Sequence, residues 1–177
     1  RLPGKVMLPV AGDHAITHTV QRVASSNRTT NTVVATSKKK ADDIIARYAA
    51  QSGANVFRGS ESDVLDRIYN AARTANADVI VRITGDCPLI DPETIDRVIQ
   101  KITDNNTQYA ANIFERTFPR GLDVEAFTFE SFQQVHEEAT EPRHREHVTP
   151  YYREHRDRFS TERVLSKDVF DEPQLQN

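Results

Sequence analysis

Only one cysteine, Cys87, occurs in 177 residues. No internal disulfide framework can staple such a chain, and a reducing compartment, the cytoplasm, suits it. No apolar run approaches membrane-spanning length, so no membrane partner is indicated. Acidic and basic residues nearly balance, 26 against 23, and no basic arm stands out. A nucleic-acid partner is therefore not indicated, although a small positive pocket for a phosphorylated ligand remains open. Repeats and low-complexity segments are absent too. What is present is ordinary for a folded domain: 37% hydrophobic and 28% charged residues, in a length that suits one α/β domain with a real core rather than two.

The chain is organised around Ala77 to Asp91. Val79, Ile80, Val81 and Ile83 form a short β-branched run bounded by polar residues, as a buried parallel strand would. Thr84-Gly85-Asp86 breaks the run, and Asp91-Pro92-Glu93 opens a helix with an N-cap and a proline at its first position. Ligands of open α/β sheets sit at the carboxyl ends of strands, where Asp86 falls, after a glycine that permits close approach. A carboxylate there serves a metal, a phosphate site or a ribose. The alternative is a turn or cap aspartate.

Arg1-Leu2-Pro3-Gly4-Lys5 reads as a loop with two cations, and Asp13 to Ser25 as a helix with Ile16, Val20 and Val23 on one face. A βα alternation should feed that helix from a strand, which is expected upstream of Arg1. Thr32 to Thr36 is a second buried strand; Lys38 to Lys40 is a solvated helix start. Ala41 to Gln51 is a helix stopped by Gly53. Asn55 to Phe57 is a strand, and Ser60 to Asp63 caps a helix whose apolar face is Val64, Leu65, Ile68 and Ala72. This alternation predicts a Rossmann-like, doubly wound, mostly parallel sheet. After a helix over Glu93 to Ile102, strands are expected at Tyr109 to Ile113 and Val124 to Phe129. Helices are expected from Thr128 through Ala139 and over Arg143 to Asp157, then a strand at Arg163 to Leu165. Residues 1–104 form a nucleotide-binding half and 105–177 a substrate half, expected to cover the open end of the sheet as a lid.

Three strand ends carry the candidate chemistry: Thr36-Ser37, Arg58-Gly59-Ser60 and Thr84-Gly85-Asp86, joined by Arg1 and Lys5. Small hydroxyl residues and glycines bring backbone N–H groups to phosphates. Two cations would neutralise a polyphosphate, and Asp86 offers one hard oxygen for Mg²⁺ shared with substrate phosphates. Together they describe a nucleoside triphosphate site without a Walker A motif.

Six ordered motifs carry a resemblance: Arg-Leu-Pro-Gly-Lys at 1–5, Val-Ala-Thr-Ser at 34–37, Arg-Gly-Ser-Glu-Ser-Asp-Val-Leu-Asp-Arg at 58–67, Ile-Thr-Gly-Asp-Cys-Pro-Leu-Ile-Asp at 83–91, Gly-Leu-Asp-Val-Glu at 121–125 and Arg-Glu-His-Val-Thr-Pro at 145–150. Over nearly its whole length the chain resembles cytidylyltransferases of surface-sugar synthesis. The nearest group is that of spore coat polysaccharide biosynthesis, related to acylneuraminate and deoxy-octulosonate cytidylyltransferases. The resemblance implies the nucleotide-diphospho-sugar transferase fold, transfer of CMP from CTP to an acidic sugar, Mg²⁺ as cofactor and a homodimer. It implies that Arg1 and Lys5 bind the triphosphate, that Arg58, Ser60, Asp63 and Val64 frame cytosine and ribose, and that Asp86 holds the metal. Asn112, Asp123, Glu125, Glu146 and His147 would line the acceptor side. The family carries a second metal-binding aspartate on an apolar strand, and no such strand precedes Asp171. That ligand is expected beyond Asn177, with Asp171 in a surface loop.

Two other readings are weighed. A sugar-nucleotide-dependent glycosyltransferase grips metal through an Asp-x-Asp pair, and Asp86 is followed by Cys87-Pro88. A receiver-like signalling module also puts an aspartate with Mg²⁺ at a strand end, but is usually shorter. Cys87, with no base beside it in sequence, packs rather than attacks. His144 and His147 have a zinc-like spacing without further ligands, and read as a polar helix face with His147 toward the substrate.

Overall fold

The computed structural model describes residues 4–170. Arg1 and Asp171, and with them the expectations for the triphosphate and for the second aspartate, lie outside the described residues.

A 3-10 turn at Lys5–Met7 leads into a hairpin of β1 (Pro9–Val10) and β2 (Asp13–His14). Its two central residues, Ala11 and Gly12, have φ of 47° and 92°, the sign that two-residue hairpins favour. Helix α1 (Ala15–Ala24) follows, burying Ile16 and Val20. Strands β3 (Val33–Ser37) and β4 (Asn55–Gly59) pair in parallel, with α2 (Asp43–Gln51) as the crossover. Helix α3 (Val64–Thr74) starts at Asp63, whose side chain accepts from the Asp66 N–H, so the expected cap lies at the last residue of the Ser60–Asp63 motif. Strand β5 (Val79–Arg82) ends at the organising loop. There Asp91 caps α4 (Pro92–Asn105), accepting from Thr94 N at 2.8 Å with Pro92 at the first position.

The remaining strands, β6 (Tyr109–Ala111), β7 (Glu125–Thr128) and β8 (Thr161–Arg163), join β5 in the order β5-β7-β6-β8. The loop between β6 and β7 contains no crossover helix, so β7 returns antiparallel to both its neighbours, whereas β6 and β8 pair in parallel. The pairing is thus more mixed than strand–helix alternation alone suggests, and residues of both halves share one sheet. Among the described residues β3 pairs only with β4, and β5 only with β7.

The period-2 alternation of the strands sorts side chains to two cores. Tyr109 and Phe127 face α5 (Phe129–Glu138), with Phe127 stacked on Phe132 at 4.4 Å and Tyr109 on Tyr152 at 4.6 Å. Ala110 and Ala126, on the other face, meet Ile95, Val98, Ile99 and Ile102 of α4. Each fully buried aromatic or branched side chain contributes on the order of 2 kcal/mol by leaving water.

The helix expected over Arg143 to Asp157 is two short ones, α6 (Pro142–His147) and α7 (Pro150–Glu154). Pro150 has no N–H to continue a helix, and it stands instead at the start of α7, with Thr149 as the cap. Between them Val148 takes φ 73° and ψ −64°, and Thr149 N donates to His147 O at 2.9 Å, a γ-turn. The chain closes the described region with α8 (Lys167–Phe170).

Candidate active site

The loop after β5 owes its shape to α1 and the 3-10 turn. Gly85 lies so close to both that a methyl group there would sit 3.4 Å from Ile16 and from Val6. Val6 packed beneath the loop delivers its neighbour Lys5 to Asp86, and the two form an ion pair. Their side chains remain 49% and 33% exposed, so both stay reachable by a ligand. Partial burial pushes the Asp86 carboxyl up, but the hydrogen bonds from Lys5 and Thr84 outweigh it and hold the group below the usual carboxylate range.

Thr84 connects this pair to a cavity of about 260 Å³. Arg82 and Thr84 reach it from the end of β5, and Asp123 and Glu125 from the start of β7. The Val148 turn presents His147 on one side and Thr149 on the other, and α7 adds Pro150 and Arg153; Ile113 completes the wall. Glu125 is 4% exposed and doubly held, by Arg82 Nη1 at 2.5 Å and by the Tyr109 hydroxyl at 2.7 Å. Burial first, then the Glu125 charge, drives the Tyr109 hydroxyl far above its ordinary range, so it stays a donor. Asp123 accepts from Arg116 at 2.9 and 3.3 Å.

The structure therefore brings together Lys5 with Asp86, and Asp123, Glu125 and His147 with Thr84. Other expected residues have internal partners. Asn112 donates to Leu122 O at 2.6 Å and accepts from Val124 N at 2.9 Å, clamping the loop that feeds β7, and it does not line the cavity. Glu146 is exposed on α6, also outside the cavity lining. Thr36 and Ser37 give their hydroxyls to Asp42, at 3.1 and 2.6 Å. Arg58 donates to Ser37 O at 2.5 Å, and to Asp43 and Lys39 O at 2.9 Å, bracing the turn after β3. Ser60 Oγ accepts from Asp63 N at 3.0 Å, and Asp63 is gripped by Arg145 at 2.7 Å. Val64 packs against the aromatic core. Cys87 is 4% exposed, its thiol pushed up by burial, and His144 is buried against Glu154 at 2.8 Å. Sequence reasoning missed Arg82, Thr149 and Arg153. A charge inside a β-branched run was the one available signal, for Arg82.

A cytidylyltransferase family model matches residues 1–174. Spore coat polysaccharide biosynthesis protein SpsF of Bacillus subtilis is 41% identical over 62% of this chain and 47% of its own length. The 3-deoxy-manno-octulosonate cytidylyltransferase of Pelobacter propionicus is 28% identical over 66% of this chain and 45% of its own. The chain spans about half the length of the curated relatives it matches. A cytidylyltransferase structure from Leptospira borgpetersenii superposes with a TM-score of 0.90 at 35% identity, covering 96% of this chain and 72% of that one. With the family model matched almost end to end and the Rossmann-like α/β fold shared, this chain belongs to the cytidylyltransferase family.

Proposed function

We propose that the protein transfers CMP from CTP to an acidic sugar, releasing pyrophosphate, in the synthesis of a surface polysaccharide or glycan. The observation that supports this reading is that Thr84 borders both the exposed Lys5–Asp86 pair and the cavity, which places a charged edge beside a pocket lined by several charged and polar residues. Family membership supports it, as do relatives named for polysaccharide and octulosonate chemistry. On the same support we place the protein in the cytoplasm, as a homodimer, with residues 1–104 serving the nucleotide and 105–177 the acceptor.

Asp86 fits a divalent cation: its carboxyl is held ionised, it is partly exposed, and Mg²⁺ needs only one or two protein oxygens when phosphates and water complete its shell. Bound there, Mg²⁺ would supply positive charge to the reacting phosphate and to the departing pyrophosphate. The protein's own part is positioning and charge. Lys5, half exposed, turns toward the triphosphate and offsets its charge. Thr84, its hydroxyl 3.2 Å from Cys87 Sγ, borders the Asp86 loop, and the cavity holds the acceptor so that one hydroxyl meets the α-phosphate in line with pyrophosphate. No covalent nucleophile is required, and the buried Cys87 thiol is unsuited to be one.

Incubation with CTP and a panel of nonulosonic and deoxy-octulosonic acids, scored by pyrophosphate release, tests this function. Release that depends on CTP and on an acidic sugar supports it. Transfer from a sugar nucleotide instead would make the protein a glycosyltransferase, and autophosphorylation by a phosphodonor a receiver-like module.

A further inference from the structure

Helix α6 is too short to hold its own position. It has six residues, no side-chain cap at Glu141, and it runs straight into the positive-φ turn at Val148. An isolated helix of that length is not stable in water, so contacts with other elements must fix it. Arg145, half-buried on α6, spends its donors on two other helices at once. Its Nε donates to both carboxylate oxygens of Asp63 at 3.0 Å, and Nη2 to one of them at 2.7 Å, at the start of α3. Nη1 donates to His136 O at 2.9 Å, one of the carbonyls that the end of α5 leaves without an intrahelical partner. The two anchors are themselves joined, since His136 lies 3.0 Å from Asp66 and stacks on Tyr69 at 4.1 Å.

We infer that Arg145 is a positioning residue: clamped on Asp63 and on the end of α5, it sets where the α6–α7 turn stands against the cavity, and so how well the acceptor is held. The inference rests on the proposed CMP transfer and adds to it a link between the two halves of the chain. Asp63 ends the loop that leaves β4, in the half proposed to serve the nucleotide, whereas His147 and Thr149 line the cavity. Residues two apart on a helix point about 200° apart, so the face of α6 that carries Arg145 is turned away from the one that carries His147. The helix is gripped on its outer face and presents its inner one. His144, bonded to Glu154 at 2.8 Å, ties α6 to α7, so a shift of α6 carries α7 with it. Most ion pairs between partly exposed side chains contribute little. This one is bidentate and directs its remaining fork nitrogen to a backbone carbonyl, which fixes direction as well as charge.

The test is steady-state pyrophosphate release from CTP with 3-deoxy-octulosonic or nonulosonic acids, in wild type, Arg145→Gln, Arg145→Lys, Asp63→Asn and the double variant Asp63→Asn/Arg145→Gln, with a thermal transition for each. Asparagine caps a helix as well as aspartate does, so Asp63→Asn keeps the start of α3 and removes only the charge. Arg145→Gln should raise KM for the acid about tenfold and leave KM for CTP near that of wild type. Arg145→Lys should recover part of the loss, since it keeps the charge but not the fork. Asp63→Asn should raise the same KM, and the double variant should be no worse than Arg145→Gln, because both changes act through one contact. A merely stabilising pair would lower the transition and the amount of active enzyme, with both KM values unmoved. If Arg145→Gln does not fold, Arg145→Lys and Asp63→Asn carry the test with the same expected direction. A folded variant with the wild-type KM for the acid, or a double variant whose effects add, would overturn the inference and leave CMP transfer standing. No release by wild type with CTP and any of the acids would overturn the transfer reading, and this inference with it.

Discussion

Val148 holds one wall of the cavity in a conformation that few β-branched residues adopt. Its φ of 73° lies in the region that favours glycine, at a cost of about 1–3 kcal/mol, and its side chain is fully buried. The packed side chain anchors the turn, and the residues on either side of it, His147 and Thr149, both line the cavity. Alanine normally stabilises a chain over glycine by restricting the unfolded state. Here the order should reverse: Val148→Ala keeps the strained φ without the packing, so Val148→Gly should be more stable than Val148→Ala by about 1 kcal/mol. Urea unfolding of the two variants decides it, and the ordinary order would show that Val148 stores no strain. Gly59 imposes the opposite constraint. A Cβ there would lie 2.7 Å from Arg67 Cγ and 3.1 Å from Arg67 Cβ, atoms near the backbone that cannot swing aside. Gly59→Ala should destabilise by about 1–3 kcal/mol, read from the shift in urea midpoint.

Helices α5 and α7 are tied together by charge as well as by aromatic packing. Glu138, the last residue of α5, accepts from Arg158 Nη2 at 2.8 Å and from the Tyr151 hydroxyl of α7 at 2.6 Å. Those bonds, Arg158 first, draw its carboxyl from 4.5 down to about 2. A carboxylate with a lowered folded-state pKa stabilises fully above its unfolded value, and that contribution fades as the pH falls through the folded one. Wild type should therefore lose stability between pH 4.5 and about 2 more steeply than Glu138→Gln, which does not titrate and keeps only one of the two acceptor oxygens. Parallel acid titrations of the urea midpoint measure the difference; identical slopes would mean that the contact is solvated away.

For the whole molecule, sequence legibility followed the range of the interactions involved. The alternation from β3 to α4 could be read because each element carries its own signal: β-branched runs, an apolar helix face, the Asp91-Pro92 start, the glycine stop at Gly53. The place of β7 between β5 and β6 could not, because Val81 meeting Ala126, and Ala126 meeting Ala110, is a pairing between distant residues. The same limit applies to the site. Lys5 was expected to bind the triphosphate and Asp86 the metal, and the fold brings the two into an ion pair with each other. Thr36, Ser37, Arg58 and Asn112 were expected to meet ligand, yet their donors are taken by Asp42, Asp43 and backbone carbonyls, which no local pattern announces.

The central claim is that the edge after β5 performs nucleotidyl transfer through Asp86, and Asp86→Asn tests it most directly. The substitution keeps the shape of the loop, removes the charge and leaves the core untouched, so the unfolding transition should stay near that of wild type. Pyrophosphate release from CTP in the presence of an acidic sugar should fall by about a hundredfold or more, the scale of losing one electrostatic contribution to a transition state. A folded Asp86→Asn protein that releases pyrophosphate at close to the wild-type rate would contradict the account.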